Sequence, residues 1–218
     1  MRSGSSCILF DLDGTLLDTA PDMAGALNQL LAEQGRQALA PDAIRPHVSH
    51  GAAALVRLGF GLAPEDVGFN ELRDRFLAIY ATRIAQDTRL FPGMEDLLRR
   101  IEANAVPWGI VTNKPAWLTE PLMGALALDA RAAAVVSGDS ATRSKPHPDT
   151  LLLACERIGV APEACLYVGD AERDIAAGRK AGMRTLVAGF GYISDTDQPG
   201  LWGADGIVWH ASHIEQWL

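Results

Sequence analysis

Two carboxylates, Asp11 and Asp13, close a short apolar run, Ile8-Leu9-Phe10, and are followed by Gly14 and Thr15. Ligands of open α/β sheets bind at the carboxyl ends of strands. Gly14 lets the chain turn there, so the two carboxylates can point in different directions. Asp and Gly at a strand end also make plain turns, so this pair alone leaves a structural role open. Three later segments carry similar groups. Trp108-Gly109-Ile110-Val111 ends in Thr112-Asn113-Lys114-Pro115, and the run at 134–136 leads to Ser144-Lys145-Pro146-His147. Cys165-Leu166-Tyr167-Val168 ends in Gly169-Asp170, with Asp174 four residues on. Brought to one sheet edge, these residues offer hard oxygen ligands of the kind Mg²⁺ accepts. They also offer the cation and hydroxyl donors that phosphoryl oxygens need.

The elements that must position them alternate. Short apolar runs at 7–10, 108–111, 134–136, 165–168 and 185–188 read as strands, and 94–103 and 148–158 carry helical spacing. Near-continuous apolar strands separated by helices imply a parallel sheet covered on both faces. Residues 17–90 break the alternation, with helical patterns at 24–33, 52–58 and 71–84 and no convincing strand. That stretch is too long for a loop and reads as a second, smaller helical domain. The expected division is 1–16 with 91–218 as the core, and 17–90 as the insert.

A 218-residue chain can bury one good core and a small second lobe. Its hydrophobic share of 48% and charged share of 21% are ordinary for a globular protein. A net charge of -8 and a pI of about 5.1 argue against nucleic-acid or anionic-membrane partners. They leave an anionic substrate open, because a metal and a few local cations can make one pocket positive. Cys7, Cys155 and Cys165 show no CxxC spacing and read as buried free thiols. No apolar run approaches bilayer length, and residues 1–6 are too short for a signal core. The expected setting is cytoplasmic, as a monomer or homodimer.

Taken in order, Asp11-Leu12-Asp13-Gly14-Thr15, Thr112-Asn113, Lys145-Pro146 and Gly169-Asp170 with Asp174 resemble the four motifs of the haloacid-dehalogenase (HAD) superfamily of phosphatases. Each motif is weak alone; the ordered set is specific and spans nearly the whole chain. The resemblance implies a Rossmann-like α/β core with a mobile helical cap inserted after the first strand. It implies Asp11 as nucleophile, Asp13 as general acid and base, Thr112 and Asn113 as phosphoryl contacts, and Lys145 as the neutralising cation. It implies Mg²⁺ held by Asp11, the backbone carbonyl of Asp13, Asp170 and, directly or through water, Asp174. The substrate would be a small phosphate ester. Within the insert, Arg45, Ser49, His50 and Gly51 are the candidates for substrate contact, since a helix starting near Gly51 could aim free N–H groups at an anion. Lys114 reads as structural or peripheral. His147 reads as a loop hydrogen-bonding residue, and His210 and His213 as surface.

Rival activities share parts of this residue set. A dehalogenase does not need Asp13, which is present. A phosphonate-cleaving relative needs a lysine in the insert, and the lysines are Lys114, Lys145 and Lys180. A phosphomutase shares the catalytic set. Phospho-receiver domains place their acceptor Asp on a later strand and carry no insert. A non-catalytic relative has no reason to keep every group. Phe91-Pro92-Gly93, 111–115, 145–148 and Gly191-Tyr192 look like the phosphoglycolate phosphatase branch. The runs 142–145 and 202–205 look closer to a bacterial sub-branch acting on N-acetylmuramic acid 6-phosphate.

Overall fold

The computed structural model describes residues 6–218. The reading made of the first few residues lies outside them. Six strands form one parallel sheet: β1 (Cys7–Phe10), β4 (Trp108–Val111), β5 (Ala134–Val136), β6 (Cys165–Gly169), β7 (Arg184–Ala188) and β8 (Gly206–Val208). Their order is β5-β4-β1-β6-β7-β8. The chain fills one side of β1 before the other, so the carboxyl end of β1 sits where the strand order reverses, the usual ligand crevice of such sheets.

Residues of β1 alternate between two cores. Ile8 and Phe10 join one cluster with α5 (Met94–Ala103) and α6 (Ala116–Ala125). Cys7 and Leu9 join the other with α7 (Asp149–Ile158) and α8 (Glu172–Lys180). Helices therefore cover both faces, which is why the strands carry apolar residues at every position. Cys7, Cys155 and Cys165 are free and buried in the second cluster.

Between β1 and α5 lie four α-helices, α1 (Ala20–Glu33), α2 (Pro41–Ile44), α3 (Gly51–Phe60) and α4 (Phe69–Ala81), with a 3₁₀ helix over Arg45–His50 between α2 and α3. α1 packs on α4 and α3 on α4, burying Leu27, Leu30, Leu55 and Phe76 continuously with the first core. The expectation that 17–90 holds no strand fails at its two ends. There β2 (Leu17–Asp18) and β3 (Arg89–Leu90) pair antiparallel, with Leu17 opposite Leu90 and Asp18 opposite Arg89. Two residues are too few to show an alternating pattern. Beside this tie, the buried Asp22 carboxylate accepts hydrogen bonds from the Asp87 and Thr88 backbone N–H groups and from the Thr88 hydroxyl.

Candidate active site

At the end of β1 the backbone breaks from extended geometry at Gly14, whose φ is +84°. A Cβ there would lie 2.1 Å from Asp170 Oδ2, so only glycine lets this turn pass against β6. The turn separates the two carboxylates, as the sequence suggests. Asp11 faces Lys145, whose Nζ lies 2.8 Å from Asp11 Oδ1. Asp13 faces the other way: its Oδ1 accepts the Thr19 hydroxyl at 2.6 Å and pairs with Lys114 Nζ at 3.0 Å.

Lys145 is fully enclosed at its side chain, and its ammonium is the hub of the site. Besides Asp11 it meets Val111 O, the Tyr167 hydroxyl and Asp174 Oδ1, each at 2.8 Å. Burial alone would lower its pKa, but Asp11 and Asp174 outweigh that and hold it above its ordinary range. Asn113 fixes the loop that carries it. The Asn113 amide donates to Lys145 O at 2.9 Å and accepts from Lys145 N at 3.0 Å. Its side chain is thus committed to backbone. Asn113→Ala should therefore lower stability by about 1–3 kcal/mol and lower turnover with it. Denaturant unfolding and initial rates, measured side by side, check both.

Asp170 and Asp174 complete the floor. Carboxylate oxygens of Asp11, Asp170 and Asp174 lie within 4.8 Å of one another, and all three residues are buried. Burial pushes the Asp11 carboxyl up to about 6, with Asp174 adding to it against the opposing pull of Lys145. Burial, then Asp11 and Asp174, push Asp170 up to about 7. Asp170 Oδ2 accepts from the Ser49 hydroxyl at 2.6 Å and the Tyr192 N–H at 2.9 Å, while its Oδ1 has no hydrogen-bond partner. Asp174 Oδ2 accepts the Ala171 N–H at 3.0 Å, steadying the start of α8. Its Oδ1 touches Lys145 but outside hydrogen-bond geometry. An unpartnered buried carboxylate oxygen beside two more carboxylates is costly. A hard divalent cation relieves both costs, so the residues present fit one.

Above this floor opens a cavity of about 360 Å³. Its lining mixes polar residues (Asp11, Asp13, Thr112, Asn113, Lys114 and Arg173) with larger apolar and aromatic ones (Met23, Val48, Leu77, Tyr80 and Leu118). Thr112 Oγ1 accepts the Lys114 N–H at 3.1 Å, which leaves its O–H to donate to a ligand.

A family model described as haloacid dehalogenase-like hydrolase matches residues 8–188. The chain belongs to the haloacid dehalogenase-like hydrolases. This hydrolase is 45% identical over 209 residues to N-acetylmuramic acid 6-phosphate phosphatase of Pseudomonas putida, covering 96% of this chain and 94% of that one. It is 44% identical over 202 residues to phosphoglycolate phosphatase of Xanthomonas campestris pv. campestris, covering 92% and 90%. A crystal structure described as a predicted phosphoglycolate phosphatase from Haemophilus somnus superposes with a TM-score of 0.85 at 25% identity, over 99% of each chain. The hydrolase is accordingly a phosphatase acting on small phosphate esters.

The structure brings Asp11, Asp13, Thr112, Asn113, Lys145, Asp170 and Asp174 to one sheet edge. From the insert it also brings Ser49, His50 and Gly51 to the cavity wall. Gly51, at φ +73°, opens α3, and His50 before it provides no side-chain cap. Ser49 is spent on Asp170 rather than standing free. Arg45 is not brought to this cavity. Its guanidinium pairs with Asp18 at 2.9 Å and stacks over the Tyr192 ring, lining a separate cavity. A neighbouring carboxylate on β2 wins it, and that strand escaped the sequence pattern.

Four contributing residues were not expected from sequence. Lys114, read as structural or peripheral, is buried with its ammonium 3.3 Å from the Tyr80 hydroxyl and 4.8 Å over that ring. Arg173 lines the cavity and donates to the Ser49 carbonyl. Burial would lower its pKa, but Asp174, Asp11 and Asp170 outweigh it. Thr19 and Tyr167 bind Asp13 and Lys145 as described. His147 sits in its loop, its N–H bonded to Ser144 O, and His210 and His213 are exposed.

Proposed function

We propose that the hydrolase dephosphorylates N-acetylmuramic acid 6-phosphate in the cytoplasm, with Mg²⁺, as a step in recycling cell-wall sugar. The observation that carries this is the cavity above Asp11. At about 360 Å³, with a mixed polar and apolar lining, it lies within the size range of sites that enclose ring-sized ligands. The near full-length likeness to the Pseudomonas putida enzyme supports the same substrate. Among the described residues, no helix is long and apolar enough to cross a membrane.

In this reading the Asp11 carboxylate attacks phosphorus in line. The P–O bond to the sugar breaks and an aspartyl-phosphate forms. Asp13, turned toward the insert, protonates the departing oxygen. It then takes a proton from the water that attacks the aspartyl-phosphate. Such proton transfer contributes about 10²–10⁴-fold. Lys145 holds Asp11 in place and offsets its charge, and the Thr112 hydroxyl donates to a phosphoryl oxygen. Asp11, Asp170 and the Asp13 carbonyl, with Asp174, would hold a divalent metal, which when bound neutralises charge on the phosphoryl oxygens. Residues 17–90 form the cap that closes the cavity and contributes the walls around the sugar.

A second reading, 2-phosphoglycolate as substrate, is favoured by the 44% identity to phosphoglycolate phosphatase. Steady-state kinetics with both esters at saturating Mg²⁺ separates them. N-acetylmuramic acid 6-phosphate should lead in kcat/KM by at least about tenfold, which corresponds to roughly 1.4 kcal/mol of extra transition-state binding. The reverse order removes the sugar reading.

A further inference from the structure

Two cations on the cavity wall have different surroundings. Arg173 stands against Asp174, Asp11 and Asp170 together, and is consumed by the phosphoryl end of the site. Lys114 stands against Asp13 alone, at 3.0 Å. An ammonium carries three N–H donors. The Tyr80 hydroxyl accepts one and Asp13 Oδ1 lies 3.0 Å away as an ion-pair partner, and no further acceptor is found for the ammonium among the described residues. Yet the residue is only 8% exposed, and that small opening is onto the cavity. Met23, Leu77 and Leu118 line the same cavity, and in such low-dielectric surroundings an ion pair is stronger than in water.

Position says what this donor faces. Asp13 serves the departing oxygen, so a group 3.0 Å from Asp13 lies beside the leaving group, not the phosphoryl oxygen that Thr112 contacts. A protein of charge -8 repels a second anionic group on its substrate unless a local cation receives it. We infer that Lys114 is a specificity-determining residue that pairs with a carboxylate on the leaving group, so the site selects phosphate esters of hydroxy acids. Tyr80, from α4 of the insert, holds the ammonium in that position through its hydroxyl and ring face. This rests on the phosphatase reading of the same cavity but not on which hydroxy acid is released.

The test uses two matched pairs of esters with Mg²⁺: 2-phosphoglycolate against 2-hydroxyethyl phosphate, and N-acetylmuramic acid 6-phosphate against N-acetylglucosamine 6-phosphate. Each second member lacks the carboxylate. The wild-type protein should prefer the carboxylate-bearing member of its better pair by about 10- to 100-fold in kcat/KM, the worth of one charge-assisted hydrogen bond. Lys114→Met should lower all rates through the loosened Asp13, but the ratio within the pair should fall to within about threefold of unity. A wild-type protein indifferent to the carboxylate overturns the inference. So does a Lys114→Met protein that keeps the full ratio, since Lys114 would then only position Asp13. Should Lys114→Met fail to fold by thermal denaturation, Lys114→Gln, which keeps donors for Asp13 and Tyr80, carries the same expectations. A protein that prefers 2-phosphoglycolate over the sugar while keeping the carboxylate ratio removes the sugar substrate and leaves this inference standing.

Discussion

Asp11→Asn should abolish turnover, lowering kcat by on the order of 10⁴-fold or more, the scale on which loss of a covalent nucleophile acts in other hydrolases. The fold should survive. The substitution is isosteric, and Lys145 keeps Asp174, Val111 O and Tyr167 as partners. It also removes one of three crowded carboxylates, so the metal-free variant should melt no lower than the wild type. Initial rates beside thermal denaturation separate the two outcomes. A variant that turns over at the wild-type rate would remove Asp11 as nucleophile. A variant that is inactive because it is unfolded would point to Asp11 as structural.

Removing divalent metal should silence the enzyme, with activity restored by Mg²⁺, and should leave a pH signature in stability. The folded metal-free protein raises Asp11 to about 6 and Asp170 to about 7, from 3.8. Folding therefore favours the protonated forms. The stability these groups contribute is fully present below about pH 4 and is lost as pH rises through 6 to 7. A bound cation reverses this by favouring the ionised forms. Mg²⁺ should raise Tm most at pH 8 and least at pH 5. At a free concentration near 100 Kd the rise should be about 5–10 °C for a chain of this size. Melting curves across pH, with EDTA and with Mg²⁺, test it. Full activity in EDTA, or a Tm shift independent of pH, would count against a metal on these carboxylates.

Much of the frame was legible in the sequence for a simple reason. β1, β4 and β5 end where their apolar runs end, because a strand buried on both faces cannot continue into Asp, Thr or Ser. The carboxyl-edge rule then gathers Asp11, Thr112, Lys145 and Asp170 without knowledge of distances. What was missed depends on neighbours rather than on local pattern. Lys114 follows a strand and precedes Pro115, as a solvated lysine would, and only Asp13 and Tyr80 make it a cavity residue. Arg173 lies between Glu172 and Asp174 and reads as an exposed charge on a helix start. Arg45 failed in the opposite direction, because its partner Asp18 belongs to a strand of two residues. β8 follows an irregular stretch with a short 3₁₀ turn at Pro199–Leu201, and three residues there give no period to read.

The pairing of Leu17 with Leu90 has a consequence for how such a chain can change over time. The inserted helices leave the core and return to it through this one two-stranded tie, so the core sees a closed ring whatever its circumference. Residues can be gained, lost or reshuffled inside that ring without shifting Asp11 against Lys145. Selection is then free to remodel the choice of molecule while the machinery beneath keeps its register.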